Sequence, residues 1–277
     1  MVAAYILYCL RAGAKPCKYF QLNAPYFDRE VGIFSKHRLD SLIPQRWRLA
    51  QRLYDIDSDD DARMPARYPV FVKPEWSQNA AGVHRADDAA QLRRIRAELP
   101  RARVAYLIQE GAREANEYEI FSIRHHRDPA RYAILTVTHA RNDRERDPIN
   151  SVHNRDTRYL EITDSFTAAQ RDRLFQLVRR IGDFGISRLS VRADSPQHLL
   201  RGAFHVIEIN LFLPMPINLL DPRLSSAAVR RRVFAYMRAL ARLTRCRDRA
   251  VAEAPVFIKS MLYHRRGRLA NWLRNRL

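Results

Sequence analysis

The residues with the most chemistry to offer are Glu208 and Asn210, in Phe204-His-Val-Ile-Glu-Ile-Asn-Leu-Phe-Leu-Pro-Met-Pro-Ile-Asn-Leu-Leu-Asp-Pro222. The segment opens as a strand, and its period of two puts Phe204, Val206, Glu208 and Asn210 on one face, with His205, Ile207 and Ile209 on the other. A carboxylate and a carboxamide then project side by side, and burying them is costly unless a cation sits between them. Oxygen donors at this spacing suit Mg²⁺, a hard ion that takes one or two protein ligands and completes its shell with water and nucleotide phosphates. The alternative is a strand end whose polar side chains meet solvent.

Further groups invite a similar weighing. Lys73 ends Tyr68-Pro-Val-Phe-Val-Lys-Pro74 and leads into a loop that contains a glycine; a lysine there is a good point-charge partner for phosphate oxygens, or simply a solvated strand end. Glu110 and Glu117 flank a Gly-Ala-Arg-Glu-Ala-Asn connection and, taken alone, read as surface acids. Arg188, Ser190 and Arg192 alternate onto one strand face, joined by Asp194 if the strand persists. Two arginines on one face make an anion clamp or a pair of structural salt bridges.

The elements that must position these groups are legible in outline. Residues 1–35 read as a short apolar helix, a basic turn and a loop around Asn23-Ala-Pro25, and Lys36 to Ile43 has helical spacing that Pro44 ends. Strands are expected at 68–74, 104–110, 118–124, 133–138, 187–194 and 204–210, the last two joined by a loop through Pro196. Asp88-Ala-Ala-Gln91 and Thr167-Ala-Ala-Gln170 have the form of capping boxes, each opening a helix with an apolar stripe. Ser225 or Ser226 starts another helix, and residues 139–160 form a long polar excursion. Mostly antiparallel strands with helices between them indicate an α+β fold.

Composition bounds the rest. The chain has 277 residues, enough for one large domain or two modest ones, and 47% of them are hydrophobic. No apolar run is long enough for a membrane span. The apolar start, Met1 to Leu10, has no basic segment before it and no clear cleavage site after it, which argues against a signal peptide. Three cysteines without metal spacing fit a reducing cytoplasm. From Arg223 onward there are 15 Lys and Arg against Asp248 and Glu253, so 13 of the net +19 charges lie in the last fifth of the chain. That segment is attracted to anionic lipid or nucleic acid.

In this order the segments resemble the ATP-grasp superfamily, ligases and kinases that hold ATP between two α+β lobes. Tyr68 to Pro74 looks like the strand whose lysine, here Lys73, contacts nucleotide phosphates. Trp76-Ser-Gln-Asn-Ala-Ala-Gly82 falls where the family has its mobile phosphate loop, which brings in Gln78 and Gly82. Leu107-Ile-Gln-Glu110 is similar to the interlobe hinge that binds adenine, through Gln109 and Glu110, and Glu117 matches the acid that binds ribose. Arg188 and Ser190 sit where the family commonly has an Arg, one spacer and an Asp; Glu208 and Asn210 match its terminal metal ligands. Lys36 matches an earlier phosphate lysine. The resemblance covers residues 34–222. It implies an ATP-grasp fold of two α+β lobes with antiparallel sheets and a nucleotide cleft between them, at 36–110 and 111–250. A reduced N-terminal lobe, with only the segment 1–35 before it, and a basic amphipathic tail at 251–277 complete the division. Departures are the single glycine of the phosphate loop, Ser190 in place of a metal-binding Asp, and Leu213-Pro214 where the family has Pro-Gly.

The activity so implied is an ATP- and Mg²⁺-dependent carboxylate–amine ligase working through an acyl-phosphate. Lys36 and Lys73 would hold phosphates, Glu208 and Asn210 the metal, and Arg188 would act with Lys73 in catalysis. The acid and amine are unidentified; Arg141, Arg144, His153, Asn154 and Arg158 of the polar excursion could meet an acidic group, or could be merely solvated. A second reading is a nucleotide-binding but catalytically weak or inactive ATP-grasp protein that acts through a basic surface on membrane or nucleic acid. Nucleic-acid binding alone ranks last, because no recognised module or aromatic stacking platform is visible. The segment 262–277 mixes Leu262, Leu269, Trp272, Leu273 and Leu277 with arginines. It reads either as an anchor to an anionic membrane surface, on the inner face of a cytoplasmic membrane, or as an ordinary helix covering the domain.

Overall fold

A computed structural model of the protein describes residues 1–54, 65–77, 80–99, 105–144, 148–246 and 252–262. Two antiparallel sheets organise it. The smaller is built from β1 (Gln51–Tyr54), β2 (Val70–Pro74), β3 (His84–Ala86) and β4 (Tyr106–Glu110), in the order β1-β4-β2-β3. The larger uses β5 (Asn116–Arg124), β6 (Tyr132–Arg141), β7 (Arg158–Glu161), β8 (Ile186–Ala193) and β9 (His205–Asn210), in the order β7-β6-β5-β8-β9.

Alternation decides what each sheet covers. In the smaller one, Val70, Val72, Tyr106 and Ile108 pack under α3 (Ala89–Glu98) through Leu92. Phe71, Lys73 and Gln109 therefore take the opposite face and look into a cleft between the sheets. In the larger one, Tyr118, Ile120, Leu189 and Val191 meet Leu174, Phe175 and Val178 of α4 (Ala168–Arg179), which starts in a complete capping box of Thr167 and Gln170. The other face is divided along the strands. Phe121, Ile123 and Ile186 are covered by α1 (Val2–Ala12) and α6 (Ser226–Arg245), whereas Glu117, Glu119, Arg188, Ser190 and Arg192 are left for the cleft.

β9 departs from the simple parity expected of it. Ser190 pairs with Glu208 but the next residue, Val191, pairs with Val206, so Ile207 is an extra residue in a bulge. Phe204 and Val206 consequently sink into the core with Ile209, while Glu208 and Asn210 turn to the opposite face. The bulge resolves the problem of polar groups sharing a face with buried apolar ones. It also leaves the Ile207 carbonyl free to accept from Lys73 Nζ across the cleft, at 3.2 Å.

Residues 1–47 form no sheet of their own. They are built into the larger unit: Tyr5 and Cys9 of α1 pack with Tyr236, Met237 and Leu240 of α6, and Phe27, Phe34, Ile43 and Trp47 join the core beneath α4. Pro196 stands at the first turn of a short helix, α5 (Pro196–Arg201), rather than in a loop. Ser195 caps its start, and Gly202, at φ 76°, closes it in the left-handed conformation that glycine adopts without strain. Strands β1, β3 and β7 are short and lack the alternation that would have marked them. Residues 263–277, which hold most of the proposed membrane anchor, lie outside the described residues, and among those described no helix is long and apolar enough to cross a membrane.

Trp47 ties the N-terminal segment to this frame. It is fully buried, stacks on Phe204 with ring centres 4.8 Å apart, and its indole N–H donates to the Gly202 carbonyl at 2.7 Å. Truncating such a side chain leaves a cavity and an unsatisfied carbonyl. The Trp47→Ala variant is expected to lose ~3–5 kcal/mol of stability in urea unfolding.

Candidate active site

The cleft is positioned by a short helix and by strands of both sheets. α2 (Lys36–Asp40) begins at Ser35, whose side chain caps it by accepting from the Arg38 amide and donates to Glu75. Glu75 in turn accepts from the His37 amide at 3.3 Å, so the loop after β2 is fastened to the start of the helix. This fixes Lys36, whose Nζ donates to Ser77 Oγ at 2.8 Å and lies 3.2 Å from Glu208 Oε1. Lys73, 6% exposed, reaches from β2 to Gln109 Oε1 at 3.0 Å as well as to the Ile207 carbonyl. On β9, Asn210 Nδ2 donates to Glu208 Oε2 at 3.0 Å. On β5 and β8, Arg188 Nε faces Glu119 Oε2 at 3.2 Å and Arg192 Nη2 faces Glu117 Oε2 at 3.5 Å.

Four cations (Lys36, Lys73, Arg188 and Arg192) and four carboxylates (Glu110, Glu117, Glu119 and Glu208) thus share one partly buried cleft. Burial pulls the Lys73 ammonium down to about 8, helped by the neighbouring Lys36. Burial alone would raise Glu208, but Lys36, Lys73 and Arg188 outweigh it and hold that carboxyl at about 2. Glu208 is therefore a permanent anion, as a ligand for a hard cation must be. Burial raises Glu117, against the opposing pull of Arg192.

Of the residues singled out in the sequence, Lys36, Lys73, Gln109, Glu110, Glu117, Arg188, Ser190 and Glu208 line the cleft together. Asn210 joins them through Glu208. Gly82 stands behind it, at φ 72°, where an added Cβ would come within 3.1 Å of Pro74. Gln78 lies outside the described residues. Asp194 is exposed and accepts from the Ala115 amide at 3.3 Å, away from the lining. From the polar excursion the cleft receives Pro148 to Val152 and Tyr159 instead of the charged residues expected. Arg141 pairs with Asp143 and Arg144 with Asp156, both outside the cleft; His153 and Arg158 are exposed, and Asn154 bonds its own loop at the Ile149 carbonyl. Three lining residues had no signal of their own. Glu119 was one apolar-looking step inside a strand, Asn150 was hidden among polar neighbours, and Tyr159 was hidden in a loop that is in fact the edge of β7.

Whether the cleft suits Mg²⁺ can be asked of its donors. Among the described residues no three His, Cys, Asp or Glu side chains are gathered into a ready-made cage. What is present is an adjoining carboxylate and carboxamide of hard oxygen character, beside lysines suited to phosphate. That set fits an ion that arrives with, and is completed by, a nucleotide.

Two α+β units with antiparallel sheets face one cleft, and the lysines and the acid–amide pair converge on it.

No protein-family model matches the chain, and no curated protein does. Among solved structures it is similar to an L-amino acid ligase from Bacillus licheniformis, at 16% identity and TM-score 0.49, over 80% of this chain and 52% of that one. It is also similar to a D-alanine-D-alanine ligase from Helicobacter pylori (15% identity, TM-score 0.47, 74% of this chain and 57% of that one). A third is the VanG D-Ala:D-Ser ligase from Enterococcus faecalis (14% identity, TM-score 0.49, 76% of this chain and 61% of that one). The chain thus spans 52–61% of the length of these ligases.

Proposed function

We propose that this chain is an ATP-dependent ligase that joins a carboxylate to an amine through an acyl-phosphate. The observation that carries the reading is the meeting, in one cleft, of a buried lysine from the small sheet with Lys36, Glu208 and Asn210 from the larger unit. Buried cations from both sides of a cleft are costly unless a multivalent anion enters it. Lys73 and Lys36 hold the phosphate oxygens, and Gln109 and Glu110, at the end of β4 where the chain passes between sheets, lie at the nucleotide's base end. Glu208 and Asn210 would hold Mg²⁺, whose chemistry there is neutralisation of phosphate charge.

Arg188 lines the same cleft as Tyr159, Asn150 and the apolar Ile217, with its Nε 3.2 Å from Glu119 Oε2. There it would receive the carboxylate substrate, steady the acyl-phosphate, and then stabilise the oxyanion formed when the amine attacks. The protein's contribution is positioning and charge, as in other phosphoryl transfers. The test is release of ADP and phosphate from ATP with pools of carboxylic acids and amines. The expected result is turnover only when both an acid and an amine are present, with an amide detected by mass. Nucleotide binding without any such turnover would favour the second reading, a nucleotide-binding protein without ligation, for which Ser190 in place of a carboxylate is the specific observation.

A further inference from the structure

Glu119 sits in mid-β5 directly across from Ser190 on β8, and Ser190 sits directly across from Glu208 on β9. Opposed residues of an antiparallel sheet share a face. A carboxylate, a small hydroxyl and a second carboxylate therefore form one row over three adjacent strands, all three lining the cleft. Glu119 leans over the short middle member, whose Oγ donates to Glu119 Oε1 at 2.9 Å. Its second oxygen is buried and accepts no hydrogen bond; the Arg188 guanidinium lies 3.2 Å away without the alignment for one.

Each outer carboxylate is countered by a cation of a kind that also binds phosphate: Arg188 beside Glu119, Lys36 beside Glu208. A triphosphate that draws Lys36 to its own oxygens leaves the carboxylates of Glu119 and Glu208 on either side of a serine, beside added negative charge. Carboxylates that lose a countercharge in a partly buried cleft are costly, and a divalent cation between them offsets that cost.

Resting on the nucleotide reading above, we propose that Glu119 is a ligand of the divalent ion alongside Glu208 and Asn210, oriented by Ser190. The carboxylate missing from position 190 is supplied by the neighbouring strand. Glu119 is then a requirement of the metal site and not only the structural partner of Arg188.

The test compares the affinity of a fluorescent, non-hydrolysable ATP analogue with Mn²⁺ and with EDTA, in the wild type, Glu119→Gln, Ser190→Ala and the double variant Glu119→Gln/Ser190→Asp. In the wild type Mn²⁺ tightens binding. In Glu119→Gln that gain is expected to shrink at least tenfold while the EDTA affinity stays within threefold. The double variant, which moves the carboxylate one strand over, is expected to regain most of the gain. An undiminished gain in Glu119→Gln, or a double variant no better than the single one, overturns the proposal. If Glu119→Gln melts below the assay temperature, Ser190→Ala decides: a reduced gain supports the orienting role and an unchanged one overturns it. Wild-type protein that binds no analogue under either condition fails the nucleotide reading itself.

Discussion

Replacing Lys73 by methionine is expected to remove nucleotide binding and leave the fold standing. The side chain spans the cleft from β2 to the freed carbonyl of the β9 bulge, so it links the two sheets at the site. Removing one partner of a buried ionic contact costs ~3–5 kcal/mol, which is a loss of about a hundred- to a few thousand-fold in affinity. Methionine keeps the stem and avoids the cavity that alanine would leave. The effect on stability has opposing parts: two hydrogen bonds are lost, and a desolvated charge is relieved. A thermal midpoint within a few degrees of the wild type is the expected balance. The same lysine gives a pH signature. Its ammonium titrates at about 8 in the nucleotide-free protein, so affinity for nucleotide is expected to fall by about tenfold per pH unit as pH rises past about 8. Stability of the nucleotide-free protein moves the other way. Between about 8 and the ordinary 10.5 the unfolded chain holds a proton that the folded one has released, so this group's contribution rises with pH. Both slopes should vanish in Lys73→Met, as measured by nucleotide titration and by urea unfolding across that window.

How much of this was legible beforehand depended on whether neighbours along the chain or neighbours across strands set the answer. Lys73, Arg188 and the Glu208/Asn210 pair were visible because period-two alternation and a strand end place side chains by sequence alone. The capping boxes at Asp88 and Thr167 marked their helices for the same reason. The parity of β9 was not legible: a single extra residue at Ile207, fixed by pairing with β8, reverses which residues share the face of Glu208. Glu119 was hidden because its significance comes from register. Nothing in Glu-Tyr-Glu-Ile announces that the second acid will stand opposite Ser190. The polar excursion reaches the cleft through other side chains than the charged ones its sequence singles out. Arg141 and Arg144 pair with Asp143 and Asp156 outside the cleft, while the less conspicuous Ile149, Asn150 and Tyr159 line it. Charge marks a loop as exposed more readily than it marks which part of the loop enters a cleft.

On the ligase reading, Arg188 is the residue whose variants are expected to separate a ligase from a protein that merely holds nucleotide. Its guanidinium is nearly buried, faces Glu119, and lines the cleft. On that reading it meets charge that develops during acyl transfer more than charge already present on bound ATP. Arg188→Ala is therefore expected to lower kcat about a hundred- to a thousand-fold, the ~2.7–4 kcal/mol typical of an oxyanion donor, with KM for ATP changed by no more than about threefold. Arg188→Lys restores the charge but not the planar fork, and should recover less than about tenfold of that loss. A raised KM for ATP at unchanged kcat would make Arg188 a ground-state phosphate ligand. Loss of stability with kinetics intact would make it the structural salt bridge that its contact with Glu119 also allows. The split between kcat and KM decides among the three, because only a donor aimed at the transition state affects the first and spares the second.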